Sequence, residues 1–167
     1  IIKFIIDATD KYQYSHAKYP RGHQVEKYVD FVNDCLNTNT SPGNLSCYLT
    51  NVKDKGASRI LGINPGASYG SAKRWYPEQF AKIAIELSDN FDIMIFGSAD
   101  ELEFAKEIER HLTINNISNY LNLAGKTSIS ELTNYISNLD IFITGDSGPM
   151  HIAGSFQIPT IAIFGPT

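Results

Sequence analysis

Hydrophobic and polar positions follow two different periods along this chain, and the two alternate. Short apolar runs at Arg59-Ile-Leu-Gly-Ile-Asn64, Asp92 to Gly97, Tyr120 to Leu123, Ile141 to Thr144 and Thr160 to Phe164 have the length and β-branched content of strands. The last two, flanking one tight polar turn and a short helix, read as strands covered on both faces. Between the runs, apolar residues recur at helical spacing. A helix starting at Pro77 places Phe80, Ile83, Ala84 and Leu87 on one face, and one from Ala99 to Leu112 buries Leu102, Ala105, Ile108 and Leu112. Ser98 with Glu101, and Ser128 with Glu131, stand at capping-box spacing, and the second box opens a helix expected to bury Ile129, Leu132, Ile136 and Leu139. Pro149 suits a first helical position, which makes Gly148 the expected cap. Strand and helix alternating with short connections predict an α/β fold, a Rossmann-like doubly wound parallel sheet with right-handed crossovers.

Ahead of this domain the pattern is thinner. Ile2 to Ile6 is strand-like and could finish a strand of a preceding domain, and Ala8 to Arg21 has no clear period. From His23 to Leu36, Val25, Tyr28, Val29, Val32 and Leu36 fall on one helical face. Asn37-Thr-Asn-Thr-Ser-Pro-Gly-Asn44 is a run of turn formers and reads as an interdomain linker. The expected division is therefore 1–44, the tail of one domain with its helix and linker, and 45–167, a Rossmann-like domain. The chain opens on Ile1 rather than Met and closes at Gly165-Pro-Thr167 directly after a strand, so both ends read as cut and the chain as a segment of a longer one.

Composition narrows the partners. A net charge of −4 and no arginine-rich run argue against nucleic acid. Cys35 and Cys47 have no companion Cys or His at metal spacing, so neither a zinc site nor a disulfide framework is expected. No apolar run approaches the length needed to span a bilayer, and no signal peptide is visible. A small ligand is the expected partner.

In a doubly wound sheet the strand-to-helix loops at 64–75, 97–101 and 145–151 open on one edge, where such folds bind ligands. The turn at 145–151 sits at a helix N-terminus, whose unpaired N–H groups favour an anion. Gly145-Asp-Ser-Gly-Pro149 also resembles the nucleophile segment of trypsin-like proteases, but those are all-β with the histidine well before the serine. In the first loop Gly66 and Gly70 allow close backbone approach, and Lys73-Arg74 either neutralises phosphate or is a solvated pair; the spacing fits neither a Walker A loop nor G-x-G-x-x-G. Trp75 suits a core aromatic better than a stacking platform. Glu101 either closes its capping box or bonds a ribose hydroxyl, and His151 either faces the ligand or caps its helix. Asp146, in a turn that does not reward a buried charge, suits a hydroxyl-rich ligand.

Taken together, Tyr69-Gly-Ser-Ala-Lys-Arg-Trp75 with Phe80, Phe96-Gly-Ser98, Leu123-Ala-Gly-Lys-Thr127, Gly145-Asp-Ser-Gly-Pro-Met-His151 and Phe164-Gly-Pro-Thr167 resemble the bacterial ADP-heptose:lipopolysaccharide heptosyltransferases, most closely the heptosyltransferase II branch of glycosyltransferase family 9. The resemblance spans Ile60 to Thr167 in order, and Gln24-Val-Glu-Lys-Tyr28 resembles the segment before the domain crossing in these enzymes. Pro149 departs from it, standing where the family more often has leucine.

The resemblance implies a GT-B glycosyltransferase in which 45–167 binds the nucleotide-sugar donor ADP-heptose and the other domain binds the lipopolysaccharide inner core. By matching positions it puts Lys73 on the diphosphate or heptose, Glu101 on the ribose with Asp100 and Glu103 as neighbouring candidates, and Thr127 beside the adenine. Asp146, Ser147, Gly148 and His151 would contact heptose and diphosphate, with Ser68 and Tyr69 flanking the phosphates. Lys73 and Asp146 are the catalytic candidates. No metal or other cofactor is implied, because Lys73 and the helix terminus would stabilise the departing diphosphate. The general base implied is an aspartate of the other domain, unmatched in this chain, so the chain alone is expected to bind donor without transferring sugar. The implied setting is the cytoplasm, at the inner face of a Gram-negative inner membrane, with peripheral membrane association. The alternatives are a non-catalytic nucleotide-binding module and a GT-B enzyme using a UDP-sugar.

Overall fold

The computed structural model describes residues 22–49, 56, 58–66 and 75–164. The strand expected at Ile2 to Ile6 lies outside them. The chain divides into two compact units, Ile1–Asn44 and Leu45–Thr167.

In the first unit the described structure is one helix, α1 (Gln24–Leu36). His23 caps it: its ring Nδ1 accepts from the Val25 N–H at 3.3 Å, and its own N–H donates to the Glu26 carboxylate at 2.8 Å. The reciprocal bonds settle donors that a helix start leaves unpaired. The helix ends where Asn37 turns left-handed (φ 52°) and the Asn33 side-chain oxygen collects the Thr38 hydroxyl (2.9 Å) and the Thr40 N–H (3.0 Å). From 38 to 49 there is no regular structure, as the run of turn formers predicts.

The second unit is a five-stranded sheet in the order β3-β2-β1-β4-β5, every pair parallel. Its strands are β1 (Ile60–Asn64), β2 (Asp92–Ile95), β3 (Tyr120–Asn122), β4 (Ile141–Gly145) and β5 (Thr160–Ile163). They are joined by α2 (Pro77–Leu87), a 3₁₀ turn (Ala99–Glu101) running into α3 (Leu102–Ile114), α4 (Ile129–Ser137) and α5 (Gly148–Ser155). Strand side chains alternate between two faces, and each face has its own core. Leu61, Ile63, Ile93, Ile95 and Ile143 pack with Phe80, Ala84, Ala105, Ile108 and Leu112 of α2 and α3. Phe142 and Phe96 meet edge-on at 6.0 Å on the other side, with Ile136, Leu139 and Ala153 from and beside α4 and α5. The sheet is thus covered on both faces, as expected of the doubly wound class. Gly62 is required in β1, since a Cβ there would collide with the Leu139 and Phe142 side chains.

Two expectations are corrected. Ile129 is not buried but 80% exposed, because it is the first residue of α4, where the side chain lies ahead of the turn that packs; Thr133 and Ile136 carry the buried face instead. β5 is not a strand covered on both faces. It is an edge strand paired with β4 alone among the described residues, and Ile161 is 52% exposed. Its apolar composition matches that of an interior strand, and composition does not encode position in the sheet.

Candidate functional site

All five strands point the same way, so the loops following them gather on one edge. The strand order reverses between β1 and β4, and a crevice opens there because the connections leave to opposite faces. Asn64 ends β1 directly opposite Thr144 of β4. Both are polar, both are buried (Asn64 3% exposed, Thr144 0%), and they share one network. The Asn64 amide Nδ2 donates to the Thr144 hydroxyl at 3.2 Å and to the Ser147 hydroxyl at 3.0 Å. Those hydroxyls lie 3.1 Å apart, and each reaches the Gly145 carbonyl, Thr144 at 3.0 Å and Ser147 at 3.3 Å. A buried polar group costs little only when paired, and this one is closed on itself.

The network aims the β4–α5 turn. Ser147, in extended conformation, is the residue that caps α5, with Gly148 and Pro149 as its first two helical residues. The cap expected at Gly148 therefore falls one position earlier. Ser147 makes no capping bond with its side chain, because its hydroxyl is committed to the sheet edge. The first turn of α5 is thus left without a side-chain cap, and among the described residues an added Cβ on Gly148 would meet nothing within 4 Å. A positive helix end without a side-chain cap is a setting for an anion. Asp146 is half-buried beside this turn, and His151 is exposed on α5.

Across the crevice stands Glu101, 6% exposed. One carboxylate oxygen accepts the Ser98 N–H at 2.8 Å, which is the capping box. The same carboxylate lies against the backbone that leaves β1, so that a Cβ on Gly66 would fall on it. Glu101 thereby joins the loops after β1 and β2. The loop after β3 is tied in by the Gly125 N–H donating to the Gly97 carbonyl at 2.9 Å, with Gly125 in the left-handed region (φ 68°) that favours glycine. Thr127 follows, half-buried. Beneath it, Asn122 receives the Ala124 N–H at 3.1 Å and donates to Glu109 at 3.0 Å, while the Lys126 ammonium bonds the Asn122 carbonyl at 2.9 Å. The edge therefore offers a carboxylate on one side and an uncapped helix start on the other. Such an arrangement sorts a ligand that carries hydroxyls at one end and an anion at the other.

Comparison with known proteins gives the family. The model described as glycosyltransferase family 9 (heptosyltransferase) matches residues 8–167. The chain belongs to glycosyltransferase family 9. A lipooligosaccharide heptosyltransferase 2 of Campylobacter jejuni serotype O:2 is 40% identical to it over 173 residues, covering 100% of this chain and 54% of the relative. The lipopolysaccharide heptosyltransferase 2 of Escherichia coli K12 is 35% identical over 109 residues, covering 65% of this chain and 31% of that enzyme. Among solved structures, Escherichia coli ADP-heptose lps heptosyltransferase II superposes with a TM-score of 0.63 at 27% identity, over 88% of this chain and 39% of that one. Escherichia coli heptosyltransferase WaaC, solved with ADP-2-deoxy-2-fluoro heptose, shares the fold at a TM-score of 0.71 and 20% identity, over 88% of this chain and 46% of that one. The chain spans about half the length of the Campylobacter relative.

Within this family 9 chain, the structure brings Glu101, Asp146, Ser147, Gly148 and His151 to loops or helix starts on one sheet edge, with Thr127 on the loop after β3. Ser68, Tyr69, Lys73 and Arg74 lie outside the described residues. Trp75 packs as a core aromatic, 5.1 Å from Phe80 in an edge-on pair. Asn64 escaped the sequence reading. Its signal was a polar residue closing an apolar strand, matched by Thr144 at the end of another.

Among the described residues, Glu78, Glu107 and His111 bring potential metal-ligand atoms within 4.8 Å of one another. The Arg110 guanidinium already spans both oxygens of Glu107, at 2.5 and 3.1 Å, and holds that carboxyl below its usual range. The group is an ion-pair network balanced by its own arginine. No helix among the described residues is long and apolar enough to cross a membrane.

Proposed function

We propose that this chain is the donor-binding part of a heptosyltransferase that transfers L-glycero-D-manno-heptose from ADP-heptose to the inner core of lipopolysaccharide. The observation that carries the reading is the 40% identity to a lipooligosaccharide heptosyltransferase 2 along the whole of this chain. The geometry of the sheet edge supports it. The diphosphate of the donor faces the uncapped start of α5, Glu101 accepts from the ribose hydroxyls, and Thr127 borders the adenine. Asp146, Gly148 and His151 contact the heptose and diphosphate, Ser68 and Tyr69 flank the phosphates, and Lys73 meets the diphosphate or the heptose.

The chemistry follows from where charge develops. Cleavage of the anomeric bond leaves negative charge on ADP, and the α5 dipole, the Gly148 N–H and the Lys73 ammonium stabilise it more in the transition state than in the ground state. In this reading no metal or cofactor takes part. The acceptor sugar and the base that deprotonates its hydroxyl belong to the half of the relatives that this chain does not match. The enzyme works in the cytoplasm at the inner face of the inner membrane, associating with it peripherally to reach its lipid-linked acceptor.

Calorimetric titration with ADP, UDP and ADP-heptose, in the absence of divalent metal, tests the proposal. ADP-heptose binding more tightly than ADP, and weakened by both Lys73→Ala and Asp146→Ala, is expected. Equal affinity for ADP and UDP would instead leave a generic nucleotide-binding domain or a UDP-sugar enzyme. Sugar transfer by this polypeptide alone would overturn the division of labour.

A further inference from the structure

We infer that Asn64 is the positioning residue of the anion site: its side-chain amide holds the Ser147 hydroxyl back in the sheet edge and so keeps the start of α5 open for the diphosphate. The inference rests on the donor-site reading above.

Serine in the capping position ordinarily turns its hydroxyl onto the first turn of its helix, accepting an N–H from the second or third helical residue. Here the second is Pro149, which has no N–H, so the Met150 N–H is the one group such a cap would reach. Met150 N–H bonds instead to the Ser147 carbonyl at 3.1 Å, and the hydroxyl lies 3.0 Å from the Asn64 amide nitrogen. A capping hydroxyl would occupy the space in front of the helix that a phosphate oxygen needs. Turning it away removes a built-in competitor.

The amide is not there merely to satisfy the two hydroxyls. Each already has an acceptor in the Gly145 carbonyl, and they lie within hydrogen-bond distance of each other. What the amide adds is direction. Its two N–H groups reach two hydroxyls from a position fixed by β1 pairing, since Asn64 stands opposite Thr144 and is 3% exposed. Ser147 is thereby tied to a strand 83 residues earlier rather than to its own helix.

The test compares wild type and Asn64→Ala by calorimetry with ADP and with inorganic pyrophosphate, and by NMR of the Met150 amide without ligand. Losing one hydrogen bond's worth of orientation should weaken Asn64→Ala about tenfold. The Met150 amide proton should at the same time move downfield and exchange more slowly, because the released Ser147 hydroxyl turns onto it. An unchanged affinity, or an unmoved Met150 resonance, overturns the inference; a merely structural asparagine weakens binding without moving that resonance. If Asn64→Ala does not fold, Asn64→Ser, too short to reach both hydroxyls, takes its place with the same readings. If wild type binds neither ADP nor pyrophosphate, the donor-site reading fails, and the Met150 resonance alone decides the positioning role.

Discussion

At Gly66 the chain has room for a hydrogen and nothing more. A methyl group there would occupy the position of the Glu101 carboxylate, which is itself held by the Ser98 N–H at 2.8 Å. Gly66→Ala is therefore expected to lower unfolding stability by about 1–3 kcal/mol in a denaturant titration, the range for overfilling a packed site. A second substitution, Glu101→Ala, should recover part of the loss. Stability unchanged in the single variant would mean that Glu101 moves freely, and the junction of the two loops would then have no substance. The glycine was legible in the sequence as a place for close backbone approach, but the partner was not, since it comes from the next strand's loop. Asn64 shows the same limit more sharply. A terminal asparagine reads as a strand stop, and its purpose appears only beside Thr144 and Ser147. The turn that carries Ser147 was legible, yet not that its hydroxyl would face inward.

Local signals carried the elements well. Both capping boxes form, because their bonds span three residues and need no tertiary help. At α4 the box has a pH signature. The Ser128 N–H and hydroxyl hold the Glu131 carboxyl below its ordinary range. A lowered folded-state pKa means stabilisation that is complete above the unfolded value and lost as the pH falls through the folded one. Ser128→Ala should therefore melt a few degrees below wild type at neutral pH. The gap should narrow as the pH is taken below the usual glutamate range; a pH-independent gap would assign the effect to packing alone. What local signals could not supply was position within the sheet. The apolar run of β5 matches that of β4, but among the described residues β4 is flanked by two strands and β5 by one. Ile129 likewise shares the helical period of α4 without sharing its buried face, because the period does not say which turn begins the contact.

The two faces of the sheet make two cores, and the strand backbone separates them. Ile108 belongs to one and Ile136 to the other, both fully buried. Ile108→Val and Ile136→Val are each expected to cost about 0.5–1.5 kcal/mol. Their combination should add within about 0.3–0.5 kcal/mol, as for sites with no shared partner. A larger deviation in the double variant's denaturation midpoint would show that the faces communicate through the sheet. The alternation of strand and helix made this layered plan legible from the sequence alone, since each segment's period names its type and parallel strands require crossovers.

The pairing of β1 with β4 also governs how the molecule comes into being. The Ile60 N–H donates to the Asp140 carboxylate at 2.8 Å, 80 residues away, at one end of this seam, and Asn64 meets Ser147 at the other. Contacts of such sequence separation incur their loop-closure entropy before any of their energy returns, which slows folding. During synthesis the first three strands emerge well before β4, leaving one flank of β1 unpaired until residues 141–145 arrive. The crevice at that seam is therefore a late product of folding. Any ligand of that crevice would bind only the finished form and draw the equilibrium toward it.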